Sequence, residues 1–146
     1  MRIQHYILFI SLVITMAACE HAPESSRNDA MKKRPMRVGM VTGLKKEKAD
    51  YYKQLHADAW EGVLKTIEAS NIRNYSIYLQ EIDDKLYLFS YFEYVGENYE
   101  EDMKKMAADS VTQRWWAETD PCQIPLPEAA VQGDIWLQME EVFHTD

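Results

Sequence analysis

Leu86-Tyr87-Leu88-Phe89-Ser90-Tyr91-Phe92-Glu93-Tyr94 decides how this chain folds. The run alternates as a strand does, putting Leu86, Leu88, Ser90, Phe92 and Tyr94 on one face and Tyr87, Phe89, Tyr91 and Glu93 on the other. An antiparallel sheet with helices on one side ordinarily shows polar residues on its second side. Here both faces are largely apolar, so the second face also needs a cover. The simplest cover is the same sheet of another copy, which makes the chain a homodimer with two sheets face to face. A ligand cavity or a returning C-terminal segment would meet the same need.

Outward from this strand, residues 74–80 read as its partner in a hairpin that turns at Asp83-Asp84. Residues 37–42 are β-prone and end at Gly43. Residues 45–70 predict one long helix, with Ala49, Tyr52, Trp60, Val63 and Ile67 on a single stripe. Residues 99–108 predict a second helix and residues 111–118 a shorter one. Pro121, Pro125 and Pro127 mark an extended connection, and residues 135–143 a closing strand. The order β-α-β-β-α-β is the ferredoxin-like split arrangement, an α+β fold on an antiparallel sheet.

The chain has 146 residues, enough for one compact domain. Its 24 acidic residues outnumber 16 lysines and arginines, for a net charge of −8, and the one basic cluster is Lys32-Lys33-Arg34. That balance excludes a nucleic-acid binder, which needs many positive charges against phosphates. An apolar content of 47% excludes an acidic disordered tail. Nine tyrosines, four phenylalanines and four tryptophans are a high aromatic load, serving either cores or platforms for half-apolar ligands. The sequence contains no phosphate-cradling glycine loop, no His-Glu-x-x-His and no nucleophile elbow.

Arg2 precedes a mostly apolar run over residues 6–18, shorter than the roughly 20 residues a membrane-spanning helix needs. Residues 1–18 therefore read as a signal peptide. The ending Met16-Ala17-Ala18-Cys19 resembles a bacterial lipoprotein signal, in which Cys19 carries the lipid. Residues 19–35 are then a polar tether and residues 36–146 the folded domain. This predicts an exported protein held to a bacterial membrane through its lipid anchor, on the periplasmic or cell-surface side. It would be cytoplasmic if the segment is not a working signal. Cys122 is the only other cysteine, so with Cys19 lipidated it has no partner in its own chain and no Cys/His metal site can be assembled.

His56 follows Tyr52 by four residues and precedes Trp60 by four, which on one helix aligns the three within about 40° per step. A histidine there is either a satisfied core residue or a general acid. In Gln113-Arg114-Trp115-Trp116 the adjacent tryptophans point about 100° apart, so one can pack while the other opens into a cleft. Capping the open end of the core is the competing role for the pair. Arg114 is an ion-pair partner or a donor to ligand oxygens. Tyr75 begins a strand, where its hydroxyl can reach a pocket mouth. Glu93, Glu140 and Glu141 are weaker candidates for a base, with no pairing in their spacing.

Taken together, Tyr52-x-x-x-His56-x-x-x-Trp60, Asn74-Tyr75-Ser76-Ile77-Tyr78-Leu79 and Gln113-Arg114-Trp115-Trp116 resemble the L-rhamnose mutarotase family, as does the terminal Met139-Glu140-Glu141-Val142-Phe143-His144. The resemblance covers about residues 36–146. It implies a dimeric α+β barrel that uses no cofactor and interconverts the α and β anomers of L-rhamnose. It further implies that His56 is the proton donor and that Tyr52, Tyr75, Trp115 and Trp116 contact the sugar. The chemistry suits these residue types, because exchanging anomers needs only a positioned acid and base. The base is open; Tyr52 and a bound water are the options. The pattern departs from the family at Glu61-Gly62, where Pro-Glu is usual, and in its export signal, so the sugar could also be another deoxy sugar such as L-fucose. Two other classes compete: a non-catalytic surface sugar-binding lipoprotein, and a monooxygenase on the same barrel fold.

Overall fold

The computed structural model describes residues 34–145; the signal-like segment, Cys19 and all but the end of the tether lie outside them. Five strands form one antiparallel sheet: β1 (Met36–Leu44), β2 (Ile72–Ile82), β3 (Lys85–Tyr94), β4 (Gln123–Ile124) and β5 (Leu137–Gln138). Their order is β2-β3-β1-β4, with β5 also paired to β1. The helices are α1 (Ala49–Ala57), α2 (Glu61–Ala69), α3 (Tyr99–Ala108), α4 (Ser110–Thr119) and α5 (Pro127–Gln132), with single 3-10 turns at Lys46–Lys48 and Asp120–Cys122. This is the expected α+β arrangement, with the long strand β3 between β1 and β2.

The β2–β3 hairpin turns at Asp83 and Asp84, both at positive φ (48° and 58°), between the paired Ile82 and Lys85. That two-residue turn matches the twist of the strands it joins. One face of the sheet carries Val38, Leu44, Leu88 and Phe92, all buried under the helices. Each of these apolar side chains contributes about 1.5–3 kcal/mol by leaving water. They form two clusters. Leu44 and Leu88 pack with Ala49, Tyr52 and Cys122, and Val38, Ile72 and Phe92 with Ile67, Tyr99, Met103 and Met106. On the opposite face Tyr87, Phe89 and Tyr91 are half-buried, while Tyr78 and Ile82 are exposed.

Three expectations need correction. The single helix over residues 45–70 is two helices, because the backbone leaves the helical region at Asp58 (φ −117°, ψ 46°) and is extended at Trp60 (φ −64°, ψ 132°). No proline forces this break. It redirects α2 so that Gly62 lies against α4, where an added Cβ would come within 2.9 Å of Val111. Second, the proline-marked connection is not wholly extended: Pro121 sits in a 3-10 turn and Pro127 opens α5, where its missing N–H costs nothing. Third, the closing strand shrinks to Leu137–Gln138, with one further bond from Met139 N–H to the Gly39 carbonyl. Strand β4 already pairs with the end of β1 at Gly43 and Leu44. Beyond β5 the chain is held by Arg37, whose guanidinium donates two 2.8 Å bonds to Glu141.

Asp109 separates α3 from α4 and caps the second helix, accepting from the Thr112 N–H (2.8 Å) and hydroxyl (2.9 Å). The Thr66 hydroxyl of α2 adds a 3.3 Å bond to the same oxygen. Asp109→Ala is expected to lower unfolding stability by about 1–2 kcal/mol, the usual worth of a lost N-cap. Asp109→Asn should lose less than half of that, as measured by urea denaturation.

Candidate active site

A cavity of about 610 Å³ lies between the sheet and the helices, flanked by the two core clusters. Met40, Ile77 and Phe92 of the sheet form its floor, and α1 and α4 supply its chemistry. Residues 132–138 line another side, entering it from Gly133, whose left-handed φ of 81° ends α5.

His56 stands in the last turn of α1, half-buried. Its Nδ1 lies 2.9 Å from the Tyr52 carbonyl. A carbonyl can only accept, so Nδ1 carries the proton and Nε2 is the nitrogen left for a ligand. Burial pushes the imidazole below its ordinary pKa, and the bond to the Tyr52 carbonyl offsets part of that. The Tyr52 ring stacks on the imidazole at 4.2 Å between centroids. Burial lifts the Tyr52 phenol well above the ordinary tyrosine range, with the charge of Asp120 among the further causes. Tyr52 is therefore a hydroxyl donor and a poor base at neutral pH.

Helix α4 presents the two tryptophans in different ways. Trp115 is buried and meets His56 edge-on at 5.2 Å, whereas Trp116 is 37% exposed at the cavity. Trp60 does not share the helical stripe of Tyr52 and His56, because the break at residues 58–60 intervenes. From the start of α2 its ring packs edge-on against Trp115 at 5.4 Å, outside the cavity lining. Arg114 and Gln113 are exposed and outside the cavity lining; Gln113 donates to the Ala107 carbonyl.

Tyr75 reaches the cavity through a β-bulge. Between Arg73 and Ser76 strand β2 has one residue more than its partner strand, with Asn74 at φ 52°. The Asn74 amide bonds Glu93 at 2.7 Å, and Tyr75 turns inward, edge-on to Phe92 at 5.6 Å. Tyr75 is 40% exposed overall, yet burial pushes its phenol up to about 12, so the hydroxyl end lies in the crowded part of the site.

The carboxylates weighed as a base do not gather here. Glu93 bonds Asn74 and Tyr91 on the other face, Glu141 pairs with Arg37, and Glu140 is exposed. Two lining residues escape a reading of the sequence: Asp120 and Gln123, from the turn after α4. Burial raises the Asp120 pKa against a bond from Thr119. Gln123 is 4% exposed and its Nε2 has no hydrogen-bond partner. Among the described residues no group of three metal-ligating side chains assembles.

The profile of the L-rhamnose mutarotases matches residues 37–145. The chain belongs to the L-rhamnose mutarotase family. An L-rhamnose mutarotase from Bacillus subtilis is 29% identical over 110 residues, covering 75% of this chain and 98% of that protein. One from Shouchella clausii is 30% identical over 86 residues, covering 59% of this chain and 78% of that protein. The solved structure of an L-rhamnose mutarotase from Formosa agariphila superposes with a TM-score of 0.57 at 20% identity, over 76% of this chain and 99% of that one, and shares its fold. L-rhamnose mutarotases are anomer-interconverting carbohydrate isomerases, and in this member the histidine, two tyrosines and paired tryptophans quoted from the sequence all line one cavity.

Two measurements check this geometry. In an NMR titration His56 should titrate below the ordinary 6.5, with Nδ1 protonated in the neutral form; a midpoint above 6.5 contradicts its burial, and an Nε2–H tautomer contradicts the bond to Tyr52. Asn74→Val puts a β-branched residue at positive φ and is expected to cost about 1–3 kcal/mol, while Asn74→Gly should be tolerated.

Proposed function

We propose that this chain is a mutarotase that interconverts the α and β anomers of L-rhamnose, or of a closely related deoxy sugar, by opening and reclosing the pyranose ring. The observation that carries the reading is one histidine, its Nδ1 fixed by a backbone carbonyl, facing a cavity walled by Tyr52, Tyr75, Trp115 and Trp116. A 6-deoxy sugar offers a methyl and C–H edges, which aromatic rings cover without orphaning polar groups. The tyrosine hydroxyls, both held protonated, are donors for the sugar's hydroxyl oxygens.

In this mechanism His56 is the acid. Its protonated Nε2 donates to the ring oxygen as the C1–O5 bond breaks, a base takes the proton of the anomeric hydroxyl, and the aldehyde forms. Rotation about C1–C2 and reclosure through the reverse transfers give the other anomer. The donating form exists below the His56 pKa, which burial lowers, so it is lost as pH rises through that value. Catalysed kcat/KM should therefore climb as pH falls from 8 to 6.5, by up to about tenfold per unit.

We also propose a homodimer that buries the outer sheet face, where Tyr78, Ile82 and Met139 are exposed. Site of action outside the cytoplasm, through a lipid on Cys19, rests on the sequence pattern of residues 1–19. Exchange NMR of the anomeric protons tests the activity. Wild-type protein should raise the exchange rate of L-rhamnose or another deoxy aldose, and His56→Ala should lower that acceleration by about 10²–10⁴. Saturable binding with the exchange rate unmoved for every aldose tried would instead identify a sugar-binding protein. Sedimentation as a monomer at micromolar concentration would end the dimer proposal.

A further inference from the structure

The mechanism leaves one partner unassigned, the base opposite His56. Tyr52 is unsuited, because its phenol holds its proton more tightly than an ordinary tyrosine. Among the described residues that line the cavity, Asp120 and Asp134 carry the carboxylates. Asp134 is exposed on the loop after α5, whereas Asp120 is half-buried where α4 gives way to the 3-10 turn Asp120–Cys122. The Tyr52 phenol feels the Asp120 charge, and the Tyr52 ring stacks on His56 at 4.2 Å. Asp120, Tyr52 and His56 thus line the same cavity.

The turn itself is firmly held. Lys45 donates from its backbone to the Cys122 carbonyl (2.9 Å) and from Nζ to the Pro121 carbonyl (2.8 Å). Next in the chain is Gln123, whose backbone belongs to β4 while its side chain lines the cavity. Among the described residues its buried Nε2 has no partner, a costly condition for an amide in a folded protein. A ligand oxygen in the cavity is one acceptor that would satisfy it.

We propose that Asp120 is the catalytic base of this site and that Gln123 donates its amide to a sugar oxygen, so that Asp120–Gln123 forms the polar half of the pocket. The inference rests on the mutarotase reading. On opening, the Asp120 carboxylate takes the O1 proton and the O–H electron pair becomes the second C1–O1 bond. The C1–O5 pair moves to O5, which takes the Nε2 proton of His56. This leaves neutral His56, protonated Asp120 and the open-chain aldehyde. After rotation about C1–C2, O5 attacks the other face of C1, His56 recovers its proton and Asp120 returns one to O1. Protons and electrons balance over the cycle, and no nucleophile or oxidant enters.

The two residues predict different losses. Asp120→Asn keeps shape and polarity but cannot take a proton, so kcat for anomer exchange should fall at least about 100-fold. Sugar affinity, read by NMR titration, should stay within about threefold. Asp120→Ala should be equally slow and partly restored by added formate, which no structural defect would show. Gln123→Met removes the amide at nearly constant volume and should raise KM at least about tenfold, the worth of one lost hydrogen bond to a buried site. Exchange by Asp120→Asn at the wild-type rate would overturn the assignment of the base and leave the mutarotase reading standing. Unchanged KM in Gln123→Met would remove the amide from the pocket. Wild-type protein that binds sugar without accelerating exchange would sink the function and this inference together.

Discussion

The bond from His56 Nδ1–H to the Tyr52 carbonyl, 2.9 Å long, is the contact on which the rest of the site depends. It sets the tautomer, leaves Nε2 for a ligand and holds the imidazole stacked against the Tyr52 ring at the cavity wall. It is available because the two residues are one helical turn apart and because α1 stops at Ala57, one residue later. Had the helix run on, Trp60 would have followed the same stripe and filled the space. Instead the chain breaks, α2 starts in a new direction, and the Trp60 ring returns to buttress Trp115. One local bond and one interruption thus position the proposed proton donor and leave room beside it.

The sheet supplies the second constraint. Strand β3 fixes the register of β1 on one side and β2 on the other, and the bulge at Asn74 is the single place where β2 departs from that register. The bulge shifts the pleat by one residue and brings Tyr75 to the helix side. Asparagine tolerates the left-handed backbone that this requires, and its amide ties the bulge to Glu93. The site is therefore assembled from a helix end, a strand irregularity and the turn after α4, each anchored by hydrogen bonds outside the cavity. This gives side chains on separate elements a fixed relation before a ligand arrives.

Much of this was legible in the chain. The two-faced apolar pattern of residues 86–94 marked the central strand and its uncovered side, Asp83-Asp84 marked the hairpin, and residues 99–108 match α3 at both ends. Tyr52, His56, Tyr75, Trp115 and Trp116 do line one cavity, with Trp115 packed and Trp116 more open. The break at residues 58–60 showed only in the departure at Glu61-Gly62, because it answers to packing of α2 on α4 rather than to a proline. Asp120 and Gln123 were equally silent. An aspartate and a glutamine beside a proline read as loop residues, and only the 3-10 turn held by Lys45 brings them to the cavity. The closing strand was overextended for a related reason: apolar residues 142 and 143 suit a strand, yet β1 offers β5 only a short edge.

Burial does two things to the groups in this cavity. It depresses the basicity of His56 and raises that of Asp120, bringing the two toward a common range in which one can give a proton and the other take it. It also keeps both tyrosines protonated, so neither competes for a proton in the proposed transfer. A crystal structure with L-rhamnose, or the deoxy sugar that exchanges fastest, at saturating concentration is the decisive measurement. The sugar should lie in the cavity against Trp116, its ring oxygen within about 3 Å of His56 Nε2 and its anomeric hydroxyl at Asp120. A sugar bound elsewhere, or lying in the cavity with C1 and O5 turned away from His56, would contradict the mechanism.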